Sequence, residues 1–342
     1  MNKREMLLEG AVLFVLILIG VFGPMIPFSA VQVILGKMPQ IFIISIAALG
    51  LNIIMGYCEM FHFGLAAFVG IGAYTLGILT FRNYPFGLGF WPLLIIGPCV
   101  TMVAGVCLGI PLMRVKGDYL AIVSLGFGEI VKDCMVNLSV ITNGSQGLNP
   151  VPVPNFPESF GISFSDTIRP WYFFTLIILF VCIRFCRQLS NSRFGRAWRA
   201  IRDDELAAGC IGLEQINVKL NALAVGCMLA GLSGVLYASK LETTAEPKTY
   251  DFNFSAMLIA MVILGGIGSV YGTVAGVCIL YMFEIFSPMA SEYIQSNFPT
   301  IADKYVFLDP NFWKLATFGL ALVIVTRYKP KGIIPEEVES SK

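Results

Sequence analysis

Arg193-Phe-Gly-Arg-Ala-Trp-Arg-Ala-Ile-Arg-Asp-Asp-Glu-Leu-Ala-Ala-Gly-Cys-Ile-Gly-Leu213 is the one long, strongly charged interruption in a chain that is otherwise almost continuously apolar. On a helix at about 100° per residue, Phe194, Trp198, Ile201 and Ala208 fall on one side and Arg193, Arg196 and Arg199 on the other, the pattern of a surface helix with a greasy face. That face needs something to bury it. Glu205 opens a run of small residues (Ala207, Ala208, Gly209, Gly212) that lets another backbone approach closely. The expectation is that residues 188–218 form a cytoplasmic loop whose Phe194, Trp198, Ile201, Glu205, Ala207, Ala208 and Gly212 dock into a partner protein. Removing the Trp198 and Ile201 side chains is then expected to release that partner.

Outward from this loop the composition is that of a membrane protein. Of the 342 residues 56% are hydrophobic and only 13% charged, with a mean hydropathy of +0.77, whereas soluble domains carry about 25% charged residues. The net charge of +1 gives no electrostatic footprint for nucleic acid, because the basic residues cluster near the ends of apolar runs. The nine cysteines are scattered through those runs and the chain has a single histidine. Cys/His zinc spacing is absent, so no metal site is expected and the cysteines read as small packing residues.

A helix that spans the hydrocarbon core needs about 20 mostly apolar residues. Runs of this kind lie near Gly10 to Pro27, Pro39 to Tyr57, Met60 to Phe81, Trp91 to Met113, Tyr119 to Thr142, Trp171 to Arg187, Lys219 to Ser239, Phe254 to Ile267, Val270 to Ser287 and Phe312 to Tyr328. They predict an all-α, polytopic membrane protein forming one domain over residues 1–342, with roughly 8–10 transmembrane helices, some short or broken. Lys and Arg favour the cytoplasmic side. Alternate threading puts Lys3 and Arg4, Arg114 and Lys116, Arg184 to Arg202, and Arg327, Lys329 and Lys331 on one side, with both termini cytoplasmic. That fit requires Phe254 to Ser287 to make two passes. Gly265-Gly-Ile-Gly-Ser269 supplies the break between them, either as a tight turn or as an interruption lining a path.

Charges within the apolar runs mark candidate sites, since ionised groups at membrane depth face a cavity or each other. Glu129, Lys132, Asp133 and Asn137 share a helix face beside Gly126, with Glu129 about 15 Å along the span from Tyr119. This face is expected to line a substrate path or a seam between subunits, with Glu129 and Lys132 paired. His62, near Glu59, reads as a packing residue before it reads as a proton relay. The loop Asn143 to Pro170, with Asn143-Gly-Ser145 and then Pro150, Pro152, Pro154 and Pro157, is an extended connector or an external contact. No phosphate loop, GxSxG or HExxH motif occurs, so no catalytic residue is expected and the chain does not read as an enzyme.

Several segments carry a family resemblance. Glu205-Leu-Ala207-Ala208-x3-Gly212 resembles the EAA-type coupling loop of bacterial ABC importer permeases, with the Glu shifted by one position. Gly64-x-Ala-Ala-Phe-x-Gly-Ile-Gly-Ala-Tyr74, Gly117-Asp-Tyr-Leu-Ala-Ile-Val-Ser-Leu-Gly-Phe-Gly-Glu-Ile130, Thr142-Asn-Gly-Ser-x-Gly-Leu148, Ser192-Arg-Phe-Gly-Arg-Ala-x-Arg-Ala-Ile-Arg-Asp-Asp-Glu205 and Val262-Ile-Leu-Gly-Gly-Ile-Gly-Ser269 are similar to the LivM-type permeases of branched-chain amino acid importers. The resemblance implies the ABC importer permease fold and a place in the bacterial inner membrane. Its implied partners are a second permease subunit, two cytoplasmic ATPases that bind the ATP, and a periplasmic binding protein; the chain itself holds no cofactor. It also implies that Arg193 to Gly212 contacts the ATPase, and that the faces near Glu129 and Asn143 to Gly147, including Ser145, belong to the path or its outer gate. After Gly56-Tyr57, where the family shows a small-Gln-Leu-Ser-Leu-Gly-His pattern, this chain has Cys58-Glu-Met-Phe-His-Phe-Gly-Leu65. Branched-chain amino acids lead as substrate, with urea or short amides as alternatives and a stand-alone secondary transporter as the competing mechanism.

Overall fold

The computed structural model describes residues 20, 29–80, 87–113, 115, 117–154, 164, 168–297, 314–329 and 332–334. Among them the regular structure is all helical. In chain order the helices are α1 (Ser29–Leu51, continued by a π-helical turn Asn52–Tyr57), α2 (Leu65–Thr80), α3 (Phe90–Leu112), α4 (Asp118–Asn137) and α5 (Ile168–Ser190). There follow α6 (Arg193–Asp203), α7 (Glu205–Cys210), α8 (Gln215–Leu241), α9 (Phe252–Gly265), α10 (Val270–Asn297) and α11 (Lys314–Tyr328). Among the described residues, five stretches are long and apolar enough to cross a membrane: Gln32–Tyr57, Phe90–Leu112, Arg169–Ser190, Gln215–Leu241 and Val270–Glu292.

The centre of the bundle is α8, and small side chains put it there. Apolar helices gain nothing from leaving lipid, so they associate by close van der Waals packing, which small residues permit. Gly97, Gly105 and Gly109 of α3 lie against Val235, Cys227 and Leu223 of α8, the partners running backwards as α3 runs forwards. On α1, Gly50 abuts Gly226, and Ser233 Oγ donates to Ile43 O at 2.8 Å, so α1 is also antiparallel to α8. Gly72 of α2 and Thr101 of α3 converge on Gly231, where no side chain fits. The result is a core in which α1 and α8, the most buried spans, cross at backbone contact.

Each of these long helices leads through an extended connection into a short one. Residues 58–64 join α1 to α2, and residues 242–251 join α8 to α9. Because α1 and α8 are antiparallel, the unit α1–α2 recurs upside down as α8–α9. The short spans the sequence allowed for are these two helices: Met60 to Phe81 shortens to the 16 residues of α2, and Phe254 to Ile267 keeps its length as the 14 residues of α9, about 24 and 21 Å against a core of about 30 Å. Two other spans are longer than expected, since α1 runs through Pro39 and α10 through Pro288. The stretch 254–287 is indeed two helices, a hairpin in which Gly265 faces Gly272 and Gly276 faces Met261, turned by Gly266 and Gly268 at φ +128° and +86°.

The basic residues of α6 and of the α11 end gather at one end of the bundle. Arg202 reaches the end of α1, while Ile333 N and Ile334 N, just past α11, donate to Leu264 O and Gly265 O at 3.1 and 3.0 Å beside the same turn. The expected first span, Gly10 to Pro27, lies outside the described residues apart from Gly20, as do Lys3, Arg4, Arg114, Lys116, Lys331 and most of the loop 155–167.

Replacing Gly231 with Leu is expected to force α8 from α2 and α3 and to cost about 1–3 kcal/mol or more by overpacking. The same change at Gly126, where a new side chain meets nothing within 4 Å, leaves stability intact. Thermal melts of the two variants in detergent check the contrast; equal melting temperatures would refute the packing account.

Candidate functional site

The two short helices begin against each other. Ala66 N donates to Ser255 Oγ at 3.1 Å, and the rings of Phe63 and Phe252 stand 5.9 Å apart. Phe63 N donates to Ser124 Oγ at 3.0 Å, which ties this junction to α4. A small cleft with room for about one water molecule opens here, lined among others by Phe63, Ala66, Leu125, Glu129, Asp251 and Phe252. Both helix starts are positive ends of backbone dipoles. Glu129 sits across from them and pairs with Lys132 one turn on, while Asp251 caps α9, accepting from Phe254 N at 3.1 Å and Asn253 Nδ2 at 2.8 Å. The cleft thus combines anion-attracting helix ends, two carboxylates and aromatic walls.

The sequence placed Glu129, Lys132, Asp133 and Asn137 on one face; the structure divides them. Glu129 lines the cleft with Lys132 beside it, whereas Asp133 and Asn137 are exposed on the open side of α4 together with Tyr119, Ile122, Val123 and Ile130. At about 100° per residue, Asp133 and Asn137 lie about 40° and 80° round the helix from Glu129, while Lys132 lies about 60° the other way. Asn143 and Ser145 are exposed beyond the far end of α4; Asn143 adopts φ +62° and donates from Nδ2 to Gly147 O at 2.9 Å. Neither lines the cleft. Reading from the sequence missed Phe63, Asp251, Phe252 and Ser255. The available signal was Asp251 just before an apolar run, an N-cap pattern. His62 is buried at 3% exposure, with both ring nitrogens unpaired and its ring packed 5.9 Å from Phe68.

The second feature is the α6–α7 element. Ser192 caps α6, its Oγ accepting from Phe194 N at 3.2 Å, and Asp204 caps α7, accepting from Leu206 N and Ala207 N at 2.9 and 3.0 Å. The greasy face of α6 turns inward. Trp198 and Ile201 are 1% and 4% exposed; Trp198 stacks on Tyr57 with centroids 6.3 Å apart and donates from Nε1 to Val218 O at 3.1 Å. Their expected presentation to a partner is therefore corrected: their own chain buries them, because the end of α1 needs a cover. Ala208 is buried too, and Glu205 is held by Lys219 at 2.9 Å. What faces outward is Phe194 (54% exposed), Leu206 (78%) and Ile211 (76%), with Ala207 and Gly212, the latter at φ +87°. Leu206 and Ile211 were hidden in the sequence because α7 starts a new helix at Asp204 and resets the helical phase.

Comparison with known proteins gives these features a context. The family model for the branched-chain amino acid transport system permease component matches residues 33–326. The chain is 31% identical to the high-affinity branched-chain amino acid transport system permease protein LivM of Salmonella typhimurium, over 94% of this chain and 74% of that one. It is 31% identical to its namesake from Escherichia coli K12, covering 85% and 67% of the two chains, and 26% identical to a probable LivM of Methanocaldococcus jannaschii, covering 85% and 90%. No solved structure matches the chain. Five membrane-length apolar helices and a match over most of its length leave one assignment: the chain belongs to the permease-component family of branched-chain amino acid transport systems.

Proposed function

We propose that the chain is one transmembrane subunit of an ATP-driven importer for branched-chain amino acids, and that its substrate passes the cleft between the starts of α2 and α9. The observation carrying this reading is the meeting of two short helix starts beside Glu129, inside the bundle. A free amino acid is a zwitterion. Its carboxylate suits the helix starts, its ammonium suits Glu129 or Asp251, and a branched aliphatic side chain suits Phe63, Phe252 and Leu125. Interrupted helices whose positive ends face anionic groups are a recurrent way to build such a site at membrane depth.

Charged residues on a lipid-facing helix are costly. The open face of α4, with Asp133 and Asn137, is accordingly assigned to the seam with a second permease subunit. The end of the bundle carrying α6 and the α11 terminus is assigned to the cytoplasm, following its Arg and Lys residues. There the exposed Phe194, Leu206 and Ile211 are read as the knobs that enter an ATPase groove, and a binding protein delivers substrate from the opposite side.

The test is uptake by the complex reconstituted in liposomes with its ATPases. Glu129→Gln is expected to lower leucine uptake at least tenfold with normal insertion; unchanged uptake would remove the cleft from the path. A parallel screen with urea and acetamide distinguishes substrate classes, since neither carries the charges the cleft is read to recognise. Leu206→Asp combined with Ile211→Asp is expected to reduce ATPase co-purification by tenfold or more, because burying each apolar side chain contributes about 1.5–3 kcal/mol. Trp198→Phe, inside the chain, is expected to leave co-purification near the wild-type level. The opposite ranking would return the docking role to the inner face of α6.

A further inference from the structure

A continuous set of contacts joins the surface element α6 to the cleft. Arg202 of α6 donates from Nη1 to Gly56 O at 2.8 Å, in the π-helical turn that ends α1. A π turn leaves carbonyls without their usual partner, and a helix C-terminus is the negative end of its dipole, so a guanidinium there is favourable on both counts. Within the same turn Asn52, 1% exposed, accepts at Oδ1 from Gly268 N at 2.8 Å. Gly56 lies so close to Gly268 that an added Cβ would stand 2.6 Å from its backbone nitrogen. Gly268 belongs to the turn that closes α9, and α9 runs as one helix of 14 residues back to Phe252 and the cap Asp251 at the cleft.

We infer that Arg202 and Asn52 are coupling residues: they fasten α6 to the end of α1 and the end of α1 to the α9 turn, so that displacement of α6 moves the cleft wall at Asp251 and Phe252. The lever arm is α9 itself, about 21 Å long. Packed interfaces transmit such shifts because they are not continuously deformable. Backbone groups make two of the contacts; Gly56 cannot carry a side chain without parting the elements, and Gly268 holds a φ of +86° that side chains rarely adopt. The Trp198–Tyr57 stack holds the same joint from the apolar side. The C-terminal segment at Gly332–Ile334 brackets the turn from beyond α9 through its hydrogen bonds to Leu264 and Gly265.

This inference rests on the ATP-driven permease reading, and the experiment separates the two. In the reconstituted complex, Arg202→Gln and Asn52→Leu are expected to keep ATPase co-purification and ATP hydrolysis within about twofold of wild type while leucine taken up per ATP falls at least tenfold. Arg202→Lys, which keeps a cation at the Gly56 carbonyl, is expected to recover much of the loss. An unchanged ratio in Arg202→Gln overturns the inference. So does a parallel fall in hydrolysis and uptake, which would mark a general structural role. Should Asn52→Leu fail to fold, the half-exposed Arg202 carries the test through its two variants. Independently of transport, spin labels at Arg196→Cys and Ile334→Cys, with Cys99, Cys107, Cys134 and Cys210 replaced by Ser, report the joint directly. Their distance distribution is expected to be narrow in the otherwise native complex and broadened in Arg202→Gln; equal widths count against the link. A wild-type complex that takes up no leucine on ATP would reject the transport reading, and the label widths would still decide whether α6 and the α9 turn move together.

Discussion

The backbone contact of α8 with α1, α2 and α3 is the constraint on which the other features depend. In lipid there is no solvent to drive apolar helices together, so the bundle is held by how closely their backbones can approach. Gly50 on Gly226, Gly72 on Gly231 and the α3 glycines along α8 set that approach. From the ends of α1 and of α8, which cross antiparallel, the chain does not continue as a full second span. Both chains instead turn through extended segments into short helices, and the starts of α2 and α9 are brought face to face.

The polar residues then follow a consistent division. Groups that serve the chain's own architecture are satisfied internally: Ser233 on Ile43, Asn52 on Gly268, Thr244 Oγ1 accepting from Leu148 N, and Tyr250 donating to Thr244 O. Such pairing is what makes a buried polar group tolerable. Other charged groups lie at the cleft, as Glu129 and Asp251 do, on the open side of α4, as Asp133 does, and at the end carrying α6, as Arg202 does. The inward turn of α6 belongs to the same logic. The π-helical end of α1 exposes carbonyls and the Tyr57 ring, and α6 covers them with Trp198 and Arg202 before offering anything to a partner.

How far the sequence could be read varied with the physics of each segment. α3 was legible almost to the residue, Trp91 to Met113 against Phe90–Leu112, because an apolar run bounded by Gly and Arg has one reading. The break within 254–287 was legible too, since Gly265-Gly-Ile-Gly268 ends one helix before the next begins. The lengths of α1 and α10 were not: Pro39 and Pro288 looked like boundaries, yet each is accommodated within a helix. Glu129 was found because a carboxylate in an apolar run has few tolerable places. Asp251, Phe63 and Phe252 were not found, for they sit at element ends where periodicity carries no information.

By itself the sequence determined the class of molecule, the approximate positions of its helices and the family to which it belongs. These follow from composition, run length and local residue types, which are additive along the chain. Only the tertiary structure decided which side of α4 and of α6 is covered, where the short helices α2 and α9 begin, and that their starts meet beside Glu129. Those outcomes depend on which backbones can touch across a hundred residues or more of intervening chain, and close packing is a property of pairs of helices that no single stretch contains.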